Sequence, residues 1–157
     1  MAGNITRLEN QLFPIKSQEF TYDTQGRVLS ATGPYGDLTY TYQHGNLTQM
    51  GERTIQYANP AHPHRATAVI APAGPTVYDY DAMGNVRARG DTRFDYNGLN
   101  RLSRVLGPNF DERYRYYYEG SGNRIKKVSV ANNATTYYID GLYELTRAPG
   151  QPDKHTL

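Results

Sequence analysis

The chain has 157 residues, a formal net charge of only +2 and no cysteine. It is therefore long enough for one domain, it has no disulfide or thiolate metal site, and its charge is too small for a strong phosphate-binding surface. Large aliphatic residues are few, but fifteen tyrosines supply apolar surface that can be buried while each hydroxyl finds a partner. The composition favours a folded, tyrosine-lined β-protein over a disordered chain.

The N-terminal segment has no charged start followed by an apolar run, and no stretch of the chain approaches eighteen apolar residues, so neither a secretory signal nor a membrane span is predicted. Ala2-Gly3-Asn4-Ile5 instead matches the second half of a repeat that recurs along the chain. Asp153–Leu157 reads as a strand that is just beginning. We therefore expect both ends of a single 1–157 array to be cut within a repeat, with Asn4–Leu8 ordered by intermolecular β-pairing.

After a strand and linker predicted over Leu8–Ile15, the first complete repeat runs from Phe20 to Val28. Its aromatic residues at i and i+2, Phe20 and Tyr22, face the same side of a β-strand, whereas a helix would separate them by about 200°. Asp23 then supplies a short hydrogen-bond acceptor and Gly26 a residue that tolerates positive φ, which is the chemistry of a tight turn. Each repeat therefore predicts a strand, a turn and a strand.

The same unit recurs along the chain, and we expect its tyrosines to pack between successive hairpins while its glycines make the turns. Further copies begin at Tyr78 and Phe94, at Tyr40 with one turn residue fewer, and at Tyr116 with a shifted aliphatic position, and degenerate copies lie around Tyr57 and Tyr138. We expect positive φ at Gly84 and Gly122, whereas Gly74, between two prolines, is expected to tolerate alanine. The predicted structural residues are Tyr22, Asp23, Gly26, Tyr42, Gly45, Tyr80, Asp81, Gly84, Tyr96, Asn97, Tyr118, Gly122 and Tyr138.

The connecting segments predict turns and loops and no helix. Residues 33–36 predict a turn and residues 59–63 a proline-broken loop. A second such loop at 72–75 gives a soft domain boundary at 71–75. Residues 128–138 read as two strands joined by a tight turn at 131–133.

Two metal sites are considered and neither is favoured. Asp79, Asp81 and Gly84 have part of a calcium-loop spacing, but Met83 and Gly90 stand where ligands are needed. His44, His62 and His64 could ligate a metal, yet prolines flank the histidine pair and no carboxylate accompanies it, so a packed loop is the better interpretation. No metal and no cofactor is predicted.

No catalytic residue is predicted either, because no serine lies in a nucleophile-elbow sequence and adjacent pairs such as Asp111-Glu112 point to opposite faces of a strand. Five arginines interleaved with tyrosines could line a nucleic-acid groove, but cross-strand Arg/Asp pairs explain them more simply. A carbohydrate or cell-surface site made of exposed tyrosines is the alternative function. The arginines are Arg87, Arg89, Arg93, Arg101 and Arg104.

The repeats YDTQGRV, YDAMGNV, YNGLNRL and YEGSGNRI, with the segments NPAHPHR and YYIDGLYEL, resemble the YD-repeat or Rhs-repeat family of bacterial polymorphic toxins, Tc-toxin components and animal teneurins. The resemblance covers nearly the whole chain. It implies an all-β fold in which consecutive antiparallel β-hairpins form a curved ribbon, part of a larger hollow shell that in the toxins encloses a C-terminal toxic domain.

The function that this resemblance implies is a non-catalytic structural segment of a shell that encapsulates and helps deliver a toxin domain. The Asp-Pro motif associated with autoproteolysis in such toxins has no counterpart, since the chain contains no Asp-Pro dipeptide. Expected partners are the remaining shell segments, a second copy through β-edge pairing, and the enclosed toxin domain, without nucleic acid or direct membrane insertion. The expected location is outside the cell, by secretion or delivery within a larger bacterial protein.

Overall fold

The computed structural model describes residues 3–156 and confirms the predicted all-β class. Each strand pairs antiparallel with its neighbours in sequence, as expected for a ribbon of consecutive hairpins. Ala2 and Leu157, which the sequence assigns to a half-repeat and to a nascent strand, lie outside the described residues. The strands are β1 (Arg7–Leu8), β2 (Gln18–Tyr22), β3 (Val28–Gly33), β4 (Gly36–Gln43), β5 (Asn46–Met50), β6 (Arg53–Gln56), β7 (Ala68–Ala71), β8 (Gly74–Tyr80), β9 (Val86–Arg89), β10 (Thr92–Tyr96), β11 (Leu102–Leu106), β12 (Glu112–Tyr118), β13 (Arg124–Ser129), β14 (Ala134–Ile139), β15 (Tyr143–Arg147) and β16 (Lys154–Thr156).

The chain divides into two compact units after Val77, within β8. The first unit contains β1 to β7 and the part of β8 that pairs with β7, from Gly74 to Val77. The second begins at Tyr78, which pairs with Arg89 of β9, and continues to β16. Pro72 and Ala73 form the two-residue connection between β7 and β8.

A β-bulge lies beside the repeat tyrosine in five of the hairpins. In the first, Thr21 pairs with Ser30 while Tyr22 pairs with Val28, so Leu29 is an extra residue on the return strand. The same register shift occurs at Tyr42, Tyr80, Tyr96 and Tyr118. A bulge bends and twists a strand locally, so each of these five repeats bends at the same position of the motif.

The most buried residues are small. Ala31, Ala68, Ala88 and Ala134 are at most 9% exposed, as is Leu106, and no side chain among residues 3–156 falls below 2% exposure. The repeat tyrosines are half-buried. Within each unit, strand pairing and partly covered tyrosine rings therefore provide the packing that a Leu-filled interior provides in a layered domain.

The strand and linker predicted over Leu8–Ile15 correspond to the end of β1 at Leu8 and a loop in which the side chains of Asn10 and Ser17 accept hydrogen bonds from backbone amides, followed by a 3₁₀ turn at Pro14–Lys16. One sequence expectation is wrong. Gly74 has φ 115°, a left-handed conformation in which alanine is strained, so its predicted tolerance fails. A second 3₁₀ turn lies at Pro108–Phe110. None of the helical segments in residues 3–156 is long and apolar enough to cross a membrane.

Candidate functional site

The site is the repeat turn together with the tyrosine that follows it in the next unit. At Asp23 the backbone amide donates to the carbonyl of Arg27 at 2.9 Å, and the amide of Gly26 donates to the carbonyl of Asp23 at 3.1 Å. The same pair of backbone hydrogen bonds recurs in the turns that begin at Asp81, Asn97 and Glu119. Four copies of the motif therefore fold into one turn geometry.

The first side chain of each turn bonds within its own turn. Asp23 Oδ1 accepts hydrogen bonds from the amides of Gln25 at 2.8 Å and Arg27 at 2.9 Å, and Oδ2 pairs with Arg27 Nε at 2.7 Å. Asn97 Oδ1 accepts from the amides of Leu99 and Arg101, both at 3.0 Å. Asp and Asn are interchangeable here because the geometry uses the oxygen that both side chains offer.

These hydrogen bonds stabilise the charged form of the turn carboxylates. The backbone amide of Arg27 is the main cause that lowers the pKa of Asp23. The side-chain amide of Asn85 lowers the pKa of Asp81, and the Ser121 hydroxyl lowers that of Glu119. The carboxylates are therefore structural groups of the turns, held ionised at neutral pH.

The turn residues that the motif places fourth have left-handed backbones. Gly26, Gly84 and Gly122 have φ of 78°, 90° and 96°, and Asn100 takes the equivalent position with φ 61°. The shorter unit uses a two-residue connection in which His44 and Gly45, with φ of 50° and 82°, both have positive φ, as in a type I′ hairpin turn.

In five repeats, the tyrosine hydroxyl links the repeat to the one before it. Tyr42 donates to the carbonyl of Val28 at 2.9 Å, Tyr96 to that of Val86 at 3.1 Å, and Tyr118 to that of Leu102 at 2.7 Å. Two further links join Tyr22 to Ile5 at 2.6 Å and Tyr57 to Leu47 at 3.0 Å. In every case the acceptor is the aliphatic residue that ends the motif of the preceding unit. We call these five links the tyrosine ladder.

Arginines of the preceding turn cover the rings of the same tyrosines. The guanidinium carbon of Arg27 lies 4.3 Å from the ring centroid of Tyr42, and that of Arg101 lies 5.7 Å from Tyr118. Arg124 lies 4.3 Å from the ring of Tyr138. The arginine of the motif thus makes a cation–π contact with the next unit.

Two predicted repeat tyrosines differ in what they contact. Tyr80 pairs with Val86 beside the bulge of its hairpin, in the same position as the ladder tyrosines. Tyr138 pairs with Glu144 in the hairpin of β14 and β15, and Arg124 covers its ring. The degenerate copy at Tyr138 thus keeps the ring contact of the motif.

Residues 1–144 match the family model Teneurin YD-shell. The chain belongs to the teneurin YD-shell family. This confirms the resemblance carried by the four YD-type motifs. No curated protein sequence matches the chain significantly.

Solved structures that resemble this YD-shell chain include Tc-toxin assemblies. The crystal structure of TcdB2-TccC3 without its hypervariable C-terminal region matches 88% of the chain and 9% of that protein, at 13% identity and a TM-score of 0.51, a likeness that concerns the fold alone. A crystal structure of TcdB2-TccC3-TEV matches 87% and 10% at 13% identity and a TM-score of 0.41. The Tc holotoxin pore of Photorhabdus luminescens, with a mutated TccC3, matches 88% and 12% at 15% identity and a TM-score of 0.43. The chain spans about a tenth of these proteins.

Several of the arginines and histidines considered as binding residues make contacts with neighbouring side chains. Cross-strand Arg/Asp pairing is confirmed for Arg87 with Asp79 at 2.5 Å and for Arg104 with Asp95 at 2.6 Å. Of the three histidines considered for a metal, His64 bonds through Nδ1 to Asn46 Oδ1 at 2.7 Å. Within residues 3–156 no group of three His, Cys, Asp or Glu is placed to hold a metal.

The acceptors of the tyrosine ladder are the functional atoms that sequence reasoning missed. The aliphatic position of the motif was recognised, but a backbone carbonyl carries no side-chain signature. The available signal was the recurring order of the motif, in which each aliphatic residue is followed 10 to 17 positions later by the tyrosine of the next repeat.

Proposed function

We propose that the chain is a non-catalytic wall segment of a YD-repeat shell that encapsulates a toxin domain and helps to deliver it. The tyrosine ladder supports this proposal most directly, because the same hydroxyl–carbonyl link recurs five times and each link ties one unit to the next. Such nearest-neighbour links build an extended wall one unit at a time. Membership of the YD-shell family supports the same role.

The partners in this proposal are further shell segments and the enclosed domain. Within the described residues, β1 pairs with β2 alone and β16 with β15 alone, so each offers a strand edge for β-addition. Adjacent shell segments, or a second copy of the chain, complete these edges, and the assembly acts outside the producing cell. A monodisperse monomer whose amides at residues 4–8 are strongly protected from exchange would contradict the edge pairing.

Encapsulation is tested by protease protection. The protein is produced from its complete reading frame and digested with trypsin, and a domain outside the repeat array is followed over time beside the same domain produced alone. We expect the enclosed domain to be cut much more slowly than the isolated one while the shell is folded, and at an equal rate once urea unfolds the shell. Equal rates under native conditions would show that nothing is enclosed.

The carbohydrate alternative has less structural support. The hydroxyls of the ladder tyrosines already donate hydrogen bonds to backbone carbonyls, and arginines cover the rings of Tyr42, Tyr118 and Tyr138. Sugar stacking would therefore fall to tyrosines such as Tyr35, which is 47% exposed. Binding on a glycan array that is lost in Tyr35→Ala would favour this alternative, and an array without binding would favour the wall segment.

A further inference from the structure

In the second unit, the sheet face opposite the repeat tyrosines carries a pocket of about 570 Å³. Three of its lining residues lie on one cross-strand row, in which Asp79 of β8 pairs with Ala88 of β9, Ala88 with Arg93 of β10, and Arg93 with Leu106 of β11. Residues paired in this way point to the same face. Ala88 and Leu106 are only 3% and 9% exposed, so the surface is lower at these two residues than at the charged side chains of the row, Asp79 and Arg93.

The charges around this pocket do not balance. Its lining carries three guanidinium groups, those of Arg87, Arg93 and Arg104, but only two carboxylates. Asp79 pairs with Arg87 and Asp95 with Arg104, each at hydrogen-bonding distance. Arg93 makes no ion pair or side-chain hydrogen bond with any residue between 3 and 156. The hydrogen bond from Arg87 is the main cause that lowers the pKa of Asp79, and the charge of Arg93 lowers it further, so Arg93 shares a carboxylate that another arginine already holds. The lining as a whole therefore carries one net positive charge.

The rim of the pocket holds an aromatic side chain in an unfavourable conformation. Phe110 is 71% exposed and has φ 63°, directly after Asn109 with φ 59°. Asparagine tolerates left-handed backbone, but a bulky aromatic residue does so rarely, and an exposed ring gains little from burial. Local strain of this kind is characteristic of sites that bind a ligand.

We infer that this pocket binds a peptide segment of a partner protein that carries a carboxylate next to an apolar side chain. The carboxylate pairs with Arg93, and the apolar side chain packs between Leu106 and Phe110. A single carboxylate matches the single excess charge, whereas the two carboxylates of the pocket would repel a phosphate dianion. This inference goes beyond the shell proposal and does not depend on it.

The test is an NMR titration of the 157-residue chain, following the amide signals of β9 to β11. The probes are acetyl-Leu-Glu-amide and its uncharged analogue acetyl-Leu-Gln-amide, with phenyl phosphate as a phosphate probe. We expect the Glu peptide to bind at least ~5-fold more tightly than the Gln peptide, because only it can pair with Arg93. Equal binding of the two peptides, or the absence of shifts, would overturn the inference, and tighter binding of phenyl phosphate would indicate a phosphate site in its place.

Two variants and one control separate the site from general charge and folding. Arg93→Gln should abolish the preference for the Glu peptide, whereas Arg89→Gln, at an exposed arginine that pairs with Tyr78 on the other face, should keep it. Phe110→Asn should weaken binding about threefold and yet raise the melting temperature, since asparagine relieves the left-handed backbone. Equal effects of Arg93→Gln and Arg89→Gln, or unchanged binding in Phe110→Asn, would contradict the site.

Discussion

The guanidinium of Arg27 lies 4.3 Å from the ring centroid of Tyr42, and the hydroxyl of that tyrosine donates to the carbonyl of Val28, the residue directly after the arginine. Two consecutive residues therefore contact the ring and the hydroxyl of the same tyrosine in the next repeat. The same arrangement joins Arg101 and Leu102 to Tyr118. Because each such link connects neighbouring units only, the stability of an array grows by one interface for each added unit.

Removing a single ladder hydroxyl should destabilise the fold measurably. Tyr118→Phe keeps the ring but deletes the 2.7 Å hydrogen bond to Leu102, leaving a half-buried carbonyl without its partner. We expect the free energy of unfolding to fall by about 1 kcal/mol in urea titrations. The matched control is Tyr137→Phe, whose hydroxyl bonds to no residue between 3 and 156 and which should change stability by less than about 0.5 kcal/mol. Equal losses in the two variants would contradict the ladder.

Three glycines of the second unit should rank in a defined order when replaced by alanine. Gly98→Ala should be nearly neutral, because Gly98 has no left-handed φ and no atom within 4 Å of an added Cβ. Gly141→Ala should cost about 1 to 2 kcal/mol, because φ is 68° although the space is open. Gly122→Ala should cost about 1 kcal/mol more, because the added methyl group would also displace the Arg101 guanidinium, which donates to the carbonyl of Gly122. Equal melting temperatures for the three variants would show that backbone strain is unimportant at these turns.

The strands and turns could be predicted from sequence because their signals are local. Aromatic residues at i and i+2 fix one face of a strand, and an Asp or Asn followed by a left-handed residue fixes the turn. The failure came where a local signal was ambiguous. Gly74 lies between Pro72 and Pro75 and was expected to tolerate alanine, whereas its φ of 115° is one that alanine rarely adopts.

The tyrosine ladder and the pocket around Arg93 could not be predicted in the same way. Which carbonyl meets the Tyr96 hydroxyl depends on the bulge that offsets β10 from β11 and on how one hairpin lies on the next. That Arg93 makes no ion pair of its own depends on which arginines pair with Asp79 and Asp95, and five arginines compete for them in the sequence. Both features follow from register, which periodicity alone does not specify.

Acid should weaken the fold through the turn carboxylates. The pKa values of Asp23, Asp81 and Glu119 are lowered in the folded chain, so the unfolded state binds more protons as the pH falls. Their contribution is therefore fully present above the unfolded pKa of about 4 and is lost as the pH falls through the lower folded values. We expect the urea midpoint to be constant between about pH 7 and 5 and to fall below about pH 4.

Asp81→Asn isolates one of these carboxylates. Asn97 already makes the equivalent backbone hydrogen bonds in its own turn, so asparagine at position 81 should preserve the turn and reduce the loss of stability between about pH 5 and 3. Asp91→Asn is the control, since Asp91 is exposed and bonds to no side chain or amide within residues 3–156. If both variants keep the full acid dependence of the native chain, the turn carboxylates are not its cause.

The loop at residues 59–65 should open when one side chain is removed. Asn46 Nδ2 donates to the carbonyl of Pro63 at 2.7 Å and Asn46 Oδ1 accepts from His64 Nδ1 at 2.7 Å. Both polar atoms of one side-chain amide therefore bind the loop to β5. In Asn46→Ala, we expect faster amide exchange across the loop while the urea midpoint shifts little, because the loop contributes few buried contacts to the hairpins. Gln49→Ala, on the same strand, breaks only a bond to the nearby Gly51 carbonyl and should leave loop exchange unchanged.

Added zinc should not slow loop exchange in the native chain, because Asn46 already holds one His64 ring nitrogen. Slower exchange with zinc would revive the metal hypothesis, and unchanged exchange in Asn46→Ala would show that the loop is ordered by its prolines and not by this amide.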